Sequence, residues 1–127
     1  MRSIFSLAPI AVVGALLAAT PALAHPKLVS STPQANATVA AISQIRLTFS
    51  ETLLAPMSGV QIVMTGMPGM PNHRMPVNGV RTSVQGEGKA LVATFPRPLM
   101  AGTYQVTWHV VSGDTHRIQG SYSFSVK

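Results

Sequence analysis

Tyr104-Gln105-Val106-Thr107-Trp108-His109-Val110 alternates without a break. In an extended chain Tyr104, Val106, Trp108 and Val110 face one way and Gln105, Thr107 and His109 the other, the two-residue period of a half-buried strand. Ser112-Gly113-Asp114-Thr115 then turns the chain. Beyond it, Ile118, Gly120, Tyr122, Phe124 and Val126 form an inward face opposite Gln119, Ser121, Ser123 and Ser125. Earlier segments repeat the pattern. Ile45, Leu47 and Phe49 alternate with Arg46 and Thr48, and Leu91, Ala93 and Phe95 with Val92 and Thr94. Lys27 to Ser31 reads as a short opening strand, Asn36 to Ile42 as a loop, and Val60 and Ile62 as part of a strand entered through Ala55-Pro56-Met57-Ser58-Gly59. Val77 to Val84 is a further strand, interrupted at Asn78-Gly79. Gly86-Glu87-Gly88 is a turn, and Pro96-Arg97-Pro98 closes the strand before it. No segment calls for a helix. About seven short strands with regular turns predict an all-β fold, a Greek-key sandwich or barrel of immunoglobulin-like type.

Met1 to Ala24 stands apart from this pattern. Arg2 gives a short positive start, Ile10 to Ala19 is apolar but too short to span a bilayer, and Ala22-Leu23-Ala24 is an A-x-A cleavage signal. Residues 1–24 read as a cleaved signal peptide and residues 25–127 as one domain in a soluble, exported chain. Cysteine is absent, so the core, with or without metal, must hold the fold. Lys27, Arg46, Arg74, Arg81, Lys89, Arg97, Arg117 and Lys127 are scattered. They form no basic patch, which argues against nucleic acid as a partner. The only acids are Glu51, Glu87 and Asp114, so their positions carry weight.

Met64-Thr65-Gly66-Met67-Pro68-Gly69-Met70-Pro71-Asn72-His73-Arg74-Met75 holds four of the chain's seven methionines. Its glycines and prolines exclude a helix and disfavour a central strand. Met64, Met67 and Met70 recur every three residues, which in a polyproline-like segment places them on one side. Thioether sulfur is a soft ligand that selects Cu(I). The competing readings are gap-filling core methionines and a methionine-rich contact surface.

A second group follows from processing. Cleavage after Ala24 makes His25 the first residue, offering a free amine and an imidazole, while Pro26 has no backbone N–H to lose. Asp114 and His116, two apart at a strand start, point the same way and add an oxygen and a nitrogen. The first strand's antiparallel neighbour ends at Phe49, which puts Glu51 near His25. Nitrogen-rich ligands with a carboxylate suit Cu(II). A turn-capping Asp114 and a solvated Glu51 are the plain alternative. His109, on an outward face with no partner ligand, reads as a surface residue, and Tyr104 and Trp108 as core.

The start His25-Pro26-Lys27-Leu28, the strand end Phe49-Ser50-Glu51, the Met64–Met75 stretch and Val111-Ser112-Gly113-Asp114-Thr115-His116 with Gly120-Ser121-Tyr122-Ser123-Phe124 resemble the periplasmic copper-resistance protein family CopC. The resemblance covers essentially all of residues 25–127. It implies a Greek-key β fold, periplasmic location and a role in copper homeostasis. It implies that His25, Glu51, Asp114 and His116 hold Cu(II), and that Met64, Met67, Met70, His73 and Met75 hold Cu(I). The expected protein is a monomeric carrier without catalytic activity, exchanging copper with an inner-membrane transporter or another periplasmic copper protein. Two other classes share some features. One is a copper oxidase resembling lytic polysaccharide monooxygenases, which also use an N-terminal histidine, although Asp114 and Glu51 would crowd the position such an enzyme leaves open for oxygen. The other is a metal-free sandwich for adhesion or assembly. Strand direction further predicts that the two copper sites lie at opposite ends of the domain.

Overall fold

A computed structural model describes residues 25–127; the expected signal peptide, residues 1–24, lies outside the described residues. Two sheets face each other, antiparallel throughout except where β2 joins the second. The first has the order β1-β3-β7-β6 and the second β2-β9-β8-β4-β5. The strands are β1 (Leu28–Thr32), β2 (Thr38–Val39), β3 (Gln44–Phe49), β4 (Gly59–Gly66), β5 (Met75–Pro76), β6 (Arg81–Gln85), β7 (Ala90–Thr94), β8 (Gly102–Val111) and β9 (Arg117–Val126). Seven of these run to five residues or more, matching the all-β sandwich expected from the alternation. Among the described residues no helix is long and apolar enough to cross a membrane.

The inward positions of the alternating runs make the core. Ile45, Leu47 and Phe49 of one sheet meet Ile62, Tyr104, Val106, Trp108, Val110 and Phe124 of the other, all buried. Each such side chain contributes about 1.5–3 kcal/mol of burial. Phe49 and Trp108 meet edge to face across the sheets, ring centroids 5.1 Å apart, and Tyr104 stacks on Phe124 at 5.6 Å, geometries that suit the aromatic quadrupole. Gly120 lies under the Trp108 ring: a Cβ there would fall 2.4 Å from its Cζ2.

The structure departs from the sequence reading in four places. The stretch read as a loop over 36–42 contains β2, which pairs in parallel with the end of β9 through Thr38 opposite Ser125. Two residues are too few to show an alternation. The break at 55–59 includes a single 3₁₀ turn, Ala55–Met57, with Pro56 in its first turn, where proline fits without losing a bond. The strand expected over 77–84 is instead Arg81–Gln85, with the two-residue β5 before it; Gly79, at φ +75°, bends the chain between them. Finally, β4 continues through Met64 to Gly66, opposite Tyr104 and Thr103 of β8. Met64 is therefore a core residue of a strand, not the opening of a loop.

The β8–β9 ladder sets the ends of the domain. Val111 pairs with Arg117 at one end and Gly102 with Val126 at the other. The 112–116 turn caps the first end, and the methionine-bearing turns lie towards the second.

A histidine–carboxylate cluster at one end and methionine pairs at the other

At the 112–116 turn, His25, Asp114 and His116 each present a ligand atom, and these atoms all lie within 4.8 Å of one another. His25 Nδ1 is 3.5 Å from Asp114 Oδ2, and His116 Nδ1 is 3.2 Å from the same oxygen. The imidazoles stand edge to face with centroids 5.2 Å apart. Both histidine side chains are about half exposed, whereas the Asp114 side chain retains 14% exposure.

Local structure brings this about. β1 starts beside the end of β3, with Leu28 opposite Phe49. Lys27 N donates to Ser50 Oγ and Ser50 N to Lys27 O, each at 2.9 Å, which fixes the segment leading to His25. Across the gap, Asp114 Oδ1 accepts from Ser112 Oγ at 2.8 Å and from His116 N at 3.1 Å. Ser112 is itself buried and bridges to Leu53. These donors, the Ser112 hydroxyl first, hold the Asp114 carboxyl below its ordinary range. Asp114 thus does two things at once. Oδ1 closes the turn, as aspartate commonly does, and Oδ2 faces the two imidazoles.

Asp114 and His116 do not converge as alternate residues of a strand, as their spacing suggested. β9 starts only at Arg117, and Thr115 sits at φ +67°. A left-handed residue between them folds both side chains to one side. Ser112 escaped the sequence reading as a functional residue; its position two before the aspartate was the available signal. Glu51 lies at this end, two residues past β3 and half-buried, but its carboxylate is not in the cluster. Ser50, beside it, is tied to Lys27 rather than leading Glu51 to His25. His109 is on the outer face of β8 and covers Gly59, whose Cβ would meet its Cε1 at 2.9 Å. Burial, then the nearby Arg117, push its pKa down.

The methionines do not line up every third residue. They form two pairs. Met67 and Met70 face each other across a tight turn, with Met67 N to Met70 O at 3.0 Å and Met70 N to Met67 O at 2.8 Å. Pro68 in second place and Gly69 at φ +82° in third are the residues of a type II turn. A turn, not a polyproline segment, brings these two together. Met64 and Met75 are directly opposite across β4 and β5, so their side chains share a face. The four methionines line three hollows: Met64 and Met75 share one with Tyr104, Met67 lines another with Gly102 and Thr103, and Met70 a third with His73. His73 N is 3.3 Å from Met70 O, which holds His73 next to the turn.

The end-to-end arrangement follows from the register. Met64 pairs with Tyr104, and the turn begins after Val111. Seven residue steps at ~3.3 Å separate these points, roughly 23 Å.

Fold and cluster place the chain among small two-sheet β-sandwiches that gather histidine and carboxylate side chains at one end. The CopC domain family matches residues 28–127, and the chain belongs to that family. Copper resistance protein C of Xanthomonas campestris pv. juglandis is 48% identical over 118 residues, which span 93% of this chain and 92% of that protein. Copper resistance protein C of Pseudomonas syringae pv. tomato is 49% identical over 112 residues, 88% of each. The crystal structure of PcoC, a methionine-rich copper resistance protein from Escherichia coli, superposes with a TM-score of 0.74 at 46% identity, covering 82% of this chain and all of that one.

Proposed function

We propose that this protein is a periplasmic copper carrier of the copper-resistance type, with a Cu(II) site at one end and Cu(I)-binding methionines at the other. The observation that carries the reading is the convergence of His25, Asp114 and His116 on one point. Two imidazole nitrogens and a carboxylate oxygen suit Cu(II), which favours tetragonal nitrogen and oxygen ligands. Cleavage after Ala24 adds the His25 amine. Pro26 is buried, so the chain is anchored one residue after that amine, and the ligand is held while its nitrogens stay accessible. Glu51, at the same end, is available as a further oxygen from outside the cluster.

The thioethers supply the complementary chemistry. They are soft, uncharged and need lose no proton to bind, so they select Cu(I). Met67, Met70 and Met75, with His73 beside the turn, stand at the surface or near it, where copper can pass to an inner-membrane transporter or another periplasmic copper protein. Catalysis is not part of this reading: both sites bind and release. Copper that changes oxidation state would leave one end and bind at the other, so the domain sorts copper by oxidation state. Equilibrium dialysis of residues 25–127 against Cu(II) tests the first site. The native chain should bind one ion at the cluster, and His116→Ala should lose that binding while keeping Cu(I). Failure of the native chain to bind Cu(II) would refute the reading.

A further inference from the structure

The fold gathers all three acidic side chains at the histidine end. Glu51 follows β3, Asp114 is in the 112–116 turn, and Glu87 is in the turn between β6 and β7. Leu53 N donates to Gly88 O at 2.7 Å and Leu53 bridges to Ser112, so the Glu87 turn adjoins the other two. The methionine end has cations and, among the described residues, no acidic side chain. Arg74 precedes β5, Arg81 opens β6 opposite Thr94, Arg97 follows β7, and Lys127 follows β9. All four are exposed. Among the described residues the only ion pairs are those of Asp114 with His25 and His116, at the other end.

The three arginines surround an open apolar hollow of about 510 Å³, within the range of about 300–1,000 Å³ of ligand pockets. Arg97 is the one charged residue on its lining. Arg74 stands just before Met75, and Arg81 just beyond Val77 and Asn78, three residues that also line it. Asn78-Gly79 lies against Pro96, where a Cβ on Gly79 would fall 2.7 Å from the proline Cγ. Arg97 is held in place: it sits between Pro96 and Pro98, which fix the backbone. Phe95 N donates to Ser43 O at 3.0 Å and Leu99 N to Ile42 O at 2.9 Å, and both of these side chains are buried. The cation is thus presented without a large ordering cost. We propose that the methionine end is a docking surface for an acidic protein, whose carboxylates meet Arg74, Arg81 and Arg97 while an apolar side chain enters the hollow. This rests on the copper-carrier reading and adds the chemistry of the partner. An apolar centre inside a charged rim is the anatomy of a protein interface. Arginine suits carboxylates because its planar fork binds them at two points. A flat anionic bilayer would meet the arginines but leave the hollow empty. Opposite charges at such a rim speed encounter and fix orientation.

The test uses ¹⁵N-labelled residues 25–127 and a synthetic peptide with a central tryptophan flanked by glutamates. The glutamate peptide should shift the backbone amides of residues 74–81 and of 95, 97, 99 and 100, and leave those of 112–116 in place. Raising ionic strength from about 0.01 M to about 0.15 M, which shortens the Debye length from about 30 Å to about 8 Å, should weaken it. Exposed ion pairs each contribute a factor of roughly 1.4 to 5, so Arg74→Gln, Arg81→Gln and Arg97→Gln together should cost at least about threefold in affinity. Lys27→Gln, Lys89→Gln and Arg117→Gln remove the same charge at the other end and should cost nothing. Equal losses in the two triple variants, shifts centred on 112–116, or no binding of the peptide overturns the docking surface. So does arginine-dependent binding to phosphatidylglycerol vesicles in place of the peptide, which would make this end a membrane contact. Cu(I) affinity of the native chain, measured in parallel by chelator competition, separates the two readings. Lost docking with Cu(I) bound overturns only the docking surface, and docking without any Cu(I) binding overturns only the carrier.

Discussion

His25 and Asp114 meet at the end of the sandwich, Nδ1 to Oδ2 3.5 Å, although strands β1 to β8 lie between them in sequence. One partner sits just before β1 and the other in the β8–β9 turn. Docking β1 on β3 is therefore what assembles the cluster.

That contact sets the first prediction. If the mature chain starts at His25 and uses its amine as a ligand, adding a single glycine before His25 should weaken Cu(II) binding by at least about tenfold, the lower bound for losing a supporting group. Cu(I) binding should be unchanged. Isothermal titration with each ion separates the two effects, and equal Cu(II) affinity in the extended chain would remove the amine from the site.

Asp114→Asn keeps the shape of the side chain and removes its charge. The Asp114 carboxyl is held below its ordinary pKa by Ser112 and the His116 backbone. A depressed carboxyl contributes stability that is present above the unfolded value, about 3.9, and is lost as pH falls through the folded value. In the metal-free protein the substitution should therefore flatten the acid limb of stability below about pH 4. Urea midpoints measured across that range check the sign. Parallel acid limbs in the two proteins would show that Asp114 makes no such contribution.

Much of the fold was legible in the residues. Ile45-Leu47-Phe49 and Tyr104-Val106-Trp108-Val110 alternate strictly, and each is a strand with those side chains buried. Two-residue strands such as β2 leave no periodic trace, and β2 is defined by backbone bonds to β9, Ser125 N to Ala37 O at 2.8 Å among them. The three-residue period of the methionine stretch does not set its geometry. Pro68-Gly69 made a turn available, and cross-strand pairing placed Met64 opposite Met75. The Asp114–His116 convergence was expected from spacing, but a left-handed Thr115 produces it, and threonine gives little hint of that conformation.

Gly120 offers a test of the core that is independent of copper. A Cβ at this position would lie 2.4 Å from Trp108 Cζ2 and 2.8 Å from Cη2. The indole cannot yield easily, since it is buried and in edge-to-face contact with Phe49. Gly120→Ala should destabilise the metal-free protein by about 1–3 kcal/mol, the usual range for overpacking. Urea unfolding followed by Trp108 fluorescence gives the value, and no loss of stability would show that the ring shifts freely.

The central claim is that two ends of one domain hold copper in two oxidation states. X-ray absorption spectra of residues 25–127, loaded separately with Cu(II) and with Cu(I), test it most directly. The account predicts a nitrogen- and oxygen-dominated shell for Cu(II), lost in His116→Ala, and a sulfur-dominated shell for Cu(I) that the same substitution leaves intact. A single common shell for both ions, or sulfur around Cu(II), would contradict it.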